Sequence, residues 1–221
     1  FAIRRQRQMC IRDRPYYIIP NSKELEKESL SIGKSAYQLL YFGQFKESLN
    51  LAKLAISLNN KNETLWSILA EAQIANNLHT KALKSLDEGK KINPMMSELY
   101  FAESNIYLSK ENFNKAKKAI MKGLEIEPDN TTAIFQLGNI HLMEKNYFKA
   151  IKSFNKAIKL KKDFWQAINN IGLAYFELEK IELSIQYFEE AISFEKNAEP
   201  MLGLATSIQT KDRKRAVSYT H

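Results

Sequence analysis

Residues 131–164 read TTAIFQLGNIHLMEKNYFKAIKSFNKAIKLKKDF, and this stretch decides the fold. Ile134, Leu137, Gly138 and His141 follow the i, i+3, i+4, i+7 spacing of one helix face. Glu144-Lys-Asn146 is polar and suits a turn. Tyr147, Ala150, Ile151, Phe154, Ala157 and Ile158 then mark the apolar face of a second helix. Two amphipathic helices joined by three residues cannot bury their apolar faces alone. They need neighbours.

The neighbours are written into the same chain. Counted in units of 34 from Ser29, the eighth place holds Ala36, Ala70, Ser104, Gly138, Gly172 and Thr206, all small. The twentieth holds Ser48, Ala82, Ala116, Ala150 and Ser184, and the twenty-seventh Ala55, Gly89, Gly123, Ala157 and Ala191. The thirtieth is apolar throughout: Leu58, Ile92, Ile126, Leu160 and Phe194. Columns that keep register without insertion over five units mark a repeat protein. Small residues at the eighth and twentieth places let the first (A) and second (B) helices approach closely. Pro94 and Pro128 follow B helices, because proline cannot continue a helix.

The pattern resembles the tetratricopeptide repeat. The best matches are Trp66-Leu69-Ala70-Ala82-Gly89-Pro94 and Ile134-Leu137-Gly138-Tyr147-Ala150-Phe154-Ala157. The resemblance covers 29–198 and the opening of a sixth unit, with repeats at 29–62, 63–96, 97–130, 131–164, 165–198 and a partial one at 199–214. Residues 15–28 form a lead-in and part of an N-terminal helix, and Ser22–Leu40 extends the first A helix as a partial cap. The resemblance implies an all-α, right-handed superhelical solenoid of stacked antiparallel helix pairs with a concave and a convex side. Departures are Ser35 and Glu103 at the apolar seventh place, and Lys162 and Lys196 in place of Pro.

Composition agrees with a soluble helical chain: 44% hydrophobic, 26% charged, with only 5 Pro and 7 Gly in 221 residues. Arginine breaks the pattern. Arg4, Arg5, Arg7, Arg12 and Arg14 crowd the start, Arg213 and Arg215 the end, and none lies between. Residues 1–14 and 215–221 resemble translated sequencing-adapter read-through and are set aside from the fold. With Asp13 counted, the two tips carry five of the eight net positive charges, so three remain for the body. The single Cys10 goes with the first tip, which leaves no basis for a disulfide or thiolate site. Both native termini are expected to be missing.

Few residues suggest chemistry. Gly33-Lys34-Ser35 lacks the earlier Gly of a phosphate-binding loop, where Glu28 stands instead. His79 and His141 are read as occupying equivalent inter-helix packing places, without metal-ligating company. No catalytic set, metal site or cofactor is expected. Lys81, Lys115 and Lys149 share one column, Lys84, Lys118 and Lys152 another, Lys122 and Lys156 a third, which implies a basic outer ridge. Such a ridge is more often a solvated face than a weak contact with an anionic membrane. No aromatic-interleaved basic run points to nucleic acid.

The candidate binding residues lie on A helices: Phe101, Asn105, Phe135, Gln136, Asn139, Asn169, Asn170 and Phe176. An Asn carboxamide can pair with a peptide N–H and C=O together, gripping backbone without demanding sequence. Phe101 and Phe135 are expected to shape an apolar pocket between successive Asn residues. The fifth and sixth places of the second to fifth repeats, Ser67/Ile68, Phe101/Ala102, Phe135/Gln136 and Asn169/Asn170, carry no cation, which argues against a clamp for C-terminal carboxylates. The expected function is a non-catalytic scaffold holding an extended peptide or partner helix, with no small-molecule substrate. The Lys/Asn/Ile-rich stretch Phe164-Trp-Gln-Ala-Ile-Asn-Asn-Ile-Gly172 resembles repeats of marine cyanobacteria, whose relatives include photosystem assembly factors. It implies a cytoplasmic assembly factor for a membrane complex, reaching the membrane only through its partner. The rival is the recognition arm of a larger enzyme whose catalytic part is absent.

Overall fold

The computed structural model describes residues 22–195 and 198–218, and no strand occurs among them. Two compact units divide the chain, Phe1–Ile92 and Asn93–His221. The first contains α1 (Ser22–Tyr41), α2 (Phe45–Leu58), α3 (Glu63–Ala75) and α4 (His79–Ile92). The second contains α5 (Ser97–Leu108), α6 (Phe113–Ile126), α7 (Thr131–Met143), α8 (Tyr147–Leu160), α9 (Trp165–Glu177), α10 (Ile181–Phe194) and α11 (Ala198–Ser218).

The helices recur with the sequence period. From α3 to α9 the A helices start at Glu63, Ser97, Thr131 and Trp165, and the B helices start at Phe45, His79, Phe113, Tyr147 and Ile181, each 34 residues apart. The turn between A and B repeats as well. Gly43, Asn77, Glu111, Lys145 and Glu179 all have positive φ, from 54° to 74°. In each, the next N–H bonds back five residues: Leu78 to Gln73 O at 2.8 Å, Asn112 to Tyr107 O at 2.9 Å, Asn146 to His141 O at 2.8 Å. That six-to-one bond and the left-handed residue before it are a Schellman stop. It ends the A helix and reverses the chain within three residues.

Close approach explains the small columns. The eighth, twentieth and twenty-seventh places from α1 to α10 are all buried. In the first unit Ser48 Oγ donates to Ala36 O at 2.8 Å, so the twentieth place touches the eighth. In the second unit Phe154 lies over Gly138 and Phe188 lies between Gly172 and Gly203. A Cβ on Gly138 would stand 2.5 Å from Phe154 Cε1. The B-helix aromatic therefore requires glycine opposite it.

Several expectations change. The thirtieth column, read only as apolar, lies at the surface in part: Ile92, Leu160 and Phe194 remain 39%, 43% and 48% exposed. His79 begins α4 whereas His141 sits in the last turn of α7, so the two places are not equivalent. Gly33-Lys34-Ser35 lies inside α1, where Gly33 backs onto Leu65. Helix α11 runs on through 215–218, part of the stretch set aside as a tip. Residues 1–14 and Cys10 lie outside the described residues.

Candidate partner-binding face

The eight predicted residues all belong to the second unit, on α5, α7 and α9. Helices α5 and α9 begin after Met96 and Phe164 without a side-chain cap. Asn130 caps α7 by accepting the Ala133 N–H at 2.9 Å, as an N-cap side chain should. That fixes the helix start, and with it the direction of every side chain along the face.

The amides form a ladder. Gln136 Nε2 on α7 donates to Asn105 Oδ1 on α5 at 2.9 Å. Asn170 Nδ2 on α9 donates to Asn139 Oδ1 on α7 at 2.8 Å. Each step joins the ninth place of one A helix to the sixth place of the next. Asn169 Nδ2 extends the row, donating to Asn170 Oδ1 at 3.3 Å and to Glu199 Oε1 on α11 at 3.0 Å. Asn169 is buried, and its Oδ1 makes no hydrogen bond among the described residues. Asn105 is exposed, and Gln136, Asn139 and Asn170 are half-buried. Asn105 and Asn139 each use Oδ1 in the ladder, and their Nδ2 groups make no hydrogen bond among the described residues, which leaves those donors for a ligand.

The aromatic residues are placed differently. Phe101 packs its ring on Gly123 of α6, where any Cβ would collide with it, and it joins the cluster of Ala116, Ile120, Ala133 and Ile140. The Phe135 ring packs at a tilt 4.8 Å from Phe164 and 5.6 Å from Phe154. Each ring serves a seam between helices, so a pocket shared by Phe101 and Phe135 is not what they build. Phe176 is half-buried in the last turn of α9. Glu199 escaped the sequence reading because no column marks it; its link to Asn169 follows only from the stagger of α9 and α11.

A second polar cluster lies at the α7–α8 turn. Lys117 Nζ on α6 bonds Glu144 Oε1 at 2.6 Å and Oε2 at 2.9 Å. That bond holds the Glu144 carboxyl below its usual range. His141 Nδ1 lies 3.5 Å from Glu144 Oε2, too distant for a good hydrogen bond. Burial, with Lys117 adding, pushes the His141 imidazole below its ordinary value. Of the expected basic ridge, all eight lysines are exposed, but several have company. Lys122 pairs with Glu125 at 2.8 Å, and Lys156 bonds Pro128 O at 2.6 Å. No group of three His, Cys, Asp or Glu able to hold a metal occurs among the described residues, and no described helix is long and apolar enough to cross a membrane.

The repeat geometry and the sequence agree on one family. Residues 97–130, 132–164 and 166–197 match tetratricopeptide repeats. Those three stretches of the second unit are tetratricopeptide repeats. Solved structures of the same architecture include MamA, at 21% identity over 79% of this chain and 93% of that one, TM-score 0.67. YrrB, a tetratricopeptide repeat protein described as having an unusual peptide-binding site, is 17% identical over 79% of this chain and 89% of its own, TM-score 0.64. PilF of Pseudomonas aeruginosa is 13% identical over 90% of each chain, TM-score 0.75. At these identities the likeness is one of fold. No curated protein matches the sequence. The all-α fold of antiparallel helix pairs is that of these tetratricopeptide repeat structures.

Proposed function

We propose that this protein is a non-catalytic scaffold that holds an extended peptide along the A-helix face of α5, α7 and α9. The amide ladder supports the reading most directly. Asn105 and Asn139 occupy the same place of adjacent repeats, each already oriented by an amide from the next helix. A side chain held in place loses less rotamer freedom when a ligand arrives, so its hydrogen bonds are worth more. The Asn105 and Asn139 donors stand on A helices of adjacent repeats and suit backbone carbonyls about three residues apart in an extended chain, which makes the grip tolerant of sequence. The peptide-binding site described for YrrB supports the same use of the fold. We place the protein in the cytoplasm, where it would help assemble a membrane-bound complex.

An array of extended peptides, probed with the full chain and with the Asn105→Ala, Asn139→Ala double variant, tests the reading. The expected result is that the double variant loses the bound peptides while keeping its helical circular dichroism. Equal binding by both proteins would remove the ladder from the site.

A further inference from the structure

We propose that the exposed face of α8 is a membrane-contact surface, taking the headgroups of an anionic lipid bilayer on its lysines while Phe148 and Leu160 enter the interface. Between Lys145 and Lys162 the chain holds seven lysines and no acidic residue. Lys145, Lys149, Lys152, Lys156 and Lys159 are all exposed. Phe148 stands among them 68% exposed, and Leu160 closes the row at 43%. This face belongs to a B helix, whereas the amide ladder uses A helices only.

The lysine columns run through α6 as well, but there they have partners. Lys122 pairs with Glu125, Lys117 bonds Glu144, and Lys115 lies 5.4 Å from the centre of the Tyr107 ring. On α10 the matching places hold Leu183, Gln186, Glu190 and Ser193, so the cationic field stops there. On α8 itself, Lys156 bonds Pro128 O at 2.6 Å and lies 3.8 Å from Asp129. Lys149, Lys152 and Lys159 meet no acidic partner among the described residues. Like charges three and four residues apart on a helix repel, so this row calls for counter-charge from outside the chain.

The apolar residues decide what supplies it. The eighteenth place is polar in the other repeats, as Lys46, Thr80, Asn114 and Glu182, and aromatic only at Phe148. At 3.6 residues per turn, Phe148, Lys152 and Lys159 fall in one line, with Lys149 and Leu160 along its flank. Lys180, from the α9–α10 turn, adds a cation 5.8 Å from the centre of the Phe148 ring. Lysines in line with an exposed ring suit a layer that is anionic at its surface and apolar beneath. From Phe148 to Leu160 the face runs about 18 Å along the helix axis, a straight ridge that can lie on a plane. Nucleic acid fits less well, because one ring cannot stack successive bases and Leu160 cannot stack at all. Ammonium groups are point charges without the bidentate fork of arginine, which suits the diffuse field of a charged surface.

Co-sedimentation of the full chain with vesicles tests the assignment. It should bind vesicles of phosphatidylcholine mixed with phosphatidylserine, weaken as salt rises, and fail to bind phosphatidylcholine alone. At about fivefold per lysine, Lys152→Gln with Lys159→Gln should weaken binding about twenty-five-fold. Phe148→Ser should weaken it about tenfold while leaving the salt dependence in place. Phe148→Trp should gain emission that brominated phosphatidylserine quenches, beyond any quenching of Trp66 and Trp165 in the wild type. The substituted side chains are exposed, so helical circular dichroism should not change. The Arg-rich tips are the same in every variant, so a loss of binding belongs to α8. Undiminished vesicle binding by Phe148→Ser or by the lysine pair would overturn the proposal. So would equal affinity for single-stranded DNA or polyglutamate, which would show a non-specific lysine face, or displacement by soluble phosphate beyond that by chloride at equal ionic strength. The Asn105→Ala, Asn139→Ala double variant should bind vesicles as the wild type does, so failure of the ladder reading and failure of this one are separable.

Discussion

Asn170 reaches back 31 residues to place its Nδ2 2.8 Å from Asn139 Oδ1. The two residues stand at the sixth and ninth places of adjacent repeats, and Gln136 and Asn105 repeat the relationship one unit earlier at 2.9 Å. A carboxamide that looks like an isolated ligand-gripping group in sequence is thus also a link between helices. Its removal acts on both roles, and the two can be told apart.

Asn139→Ala leaves Asn170 Nδ2 without its acceptor at a half-buried place. The expected loss of stability is about 1 kcal/mol, the net worth of one neutral hydrogen bond. Phe135→Ala is a different kind of change, because its ring packs on Phe154 and Phe164. Opening that cluster should cost about 3 kcal/mol. Urea titration of both variants checks the order: Phe135→Ala should unfold first, and its loss of peptide binding should track its loss of fold.

Gly138→Ala tests the close approach of α7 and α8. The added Cβ would meet Phe154 Cε1 at 2.5 Å, well inside contact, so one helix must shift. Overpacking of this kind costs roughly 1–3 kcal/mol. Phe154→Leu in the same chain should recover part of that loss by withdrawing the ring. A double-mutant cycle on Tm reads the coupling directly, and additive effects would mean the two residues do not touch.

The period and the small columns were legible in sequence because they answer to one constraint, the distance between helix axes. Gly138, Ala150 and Ala157 say the same thing whatever the partner residue is. The rings were not legible in that way. Phe101 and Phe135 fit a groove and a seam equally well by spacing, and only the glycine at 123 and the rings at 154 and 164 assign them to seams. The ladder was half legible. Its Asn residues stood out by column, but which carboxamide meets which depends on the stagger of successive A helices. Glu199 was beyond reach for the same reason.

The A–B turn offers a test with opposite signs. Lys145 holds φ of 58° with a side chain that disfavours it, whereas Gly43 holds 74° at no steric cost. A non-glycine residue in the left-handed region costs about 1–2 kcal/mol, and glycine returns part of the gain as chain entropy. Lys145→Gly should therefore raise stability by roughly 0.5–1 kcal/mol. Gly43→Ala should lower it by a similar amount, although nothing lies within 4 Å of the added methyl. Thermal melts moving in the same direction for both would show that these turns are not set by φ.

Acid should destabilise the second unit in two steps centred on the α7–α8 turn. Burial holds the His141 imidazole below its usual value, so the unfolded chain takes up that proton first. Its contribution is complete above about pH 6.5, the ordinary histidine value, and fades as pH falls through the lower folded value. Glu144 is held below its ordinary carboxyl range chiefly by the Lys117 bond. Its contribution is complete above about pH 4.3 and is lost only as pH falls through the folded value. His141→Gln should therefore flatten stability between about pH 7 and 5 while leaving the steeper acid limb. Glu144→Gln should do the reverse, and it should also cost about 1 kcal/mol at pH 7 by leaving the Lys117 ammonium with a neutral partner. Urea midpoints measured across pH 3 to 8 for the wild type and both variants decide the matter. A single transition removed by either variant would mean that the two groups titrate as one.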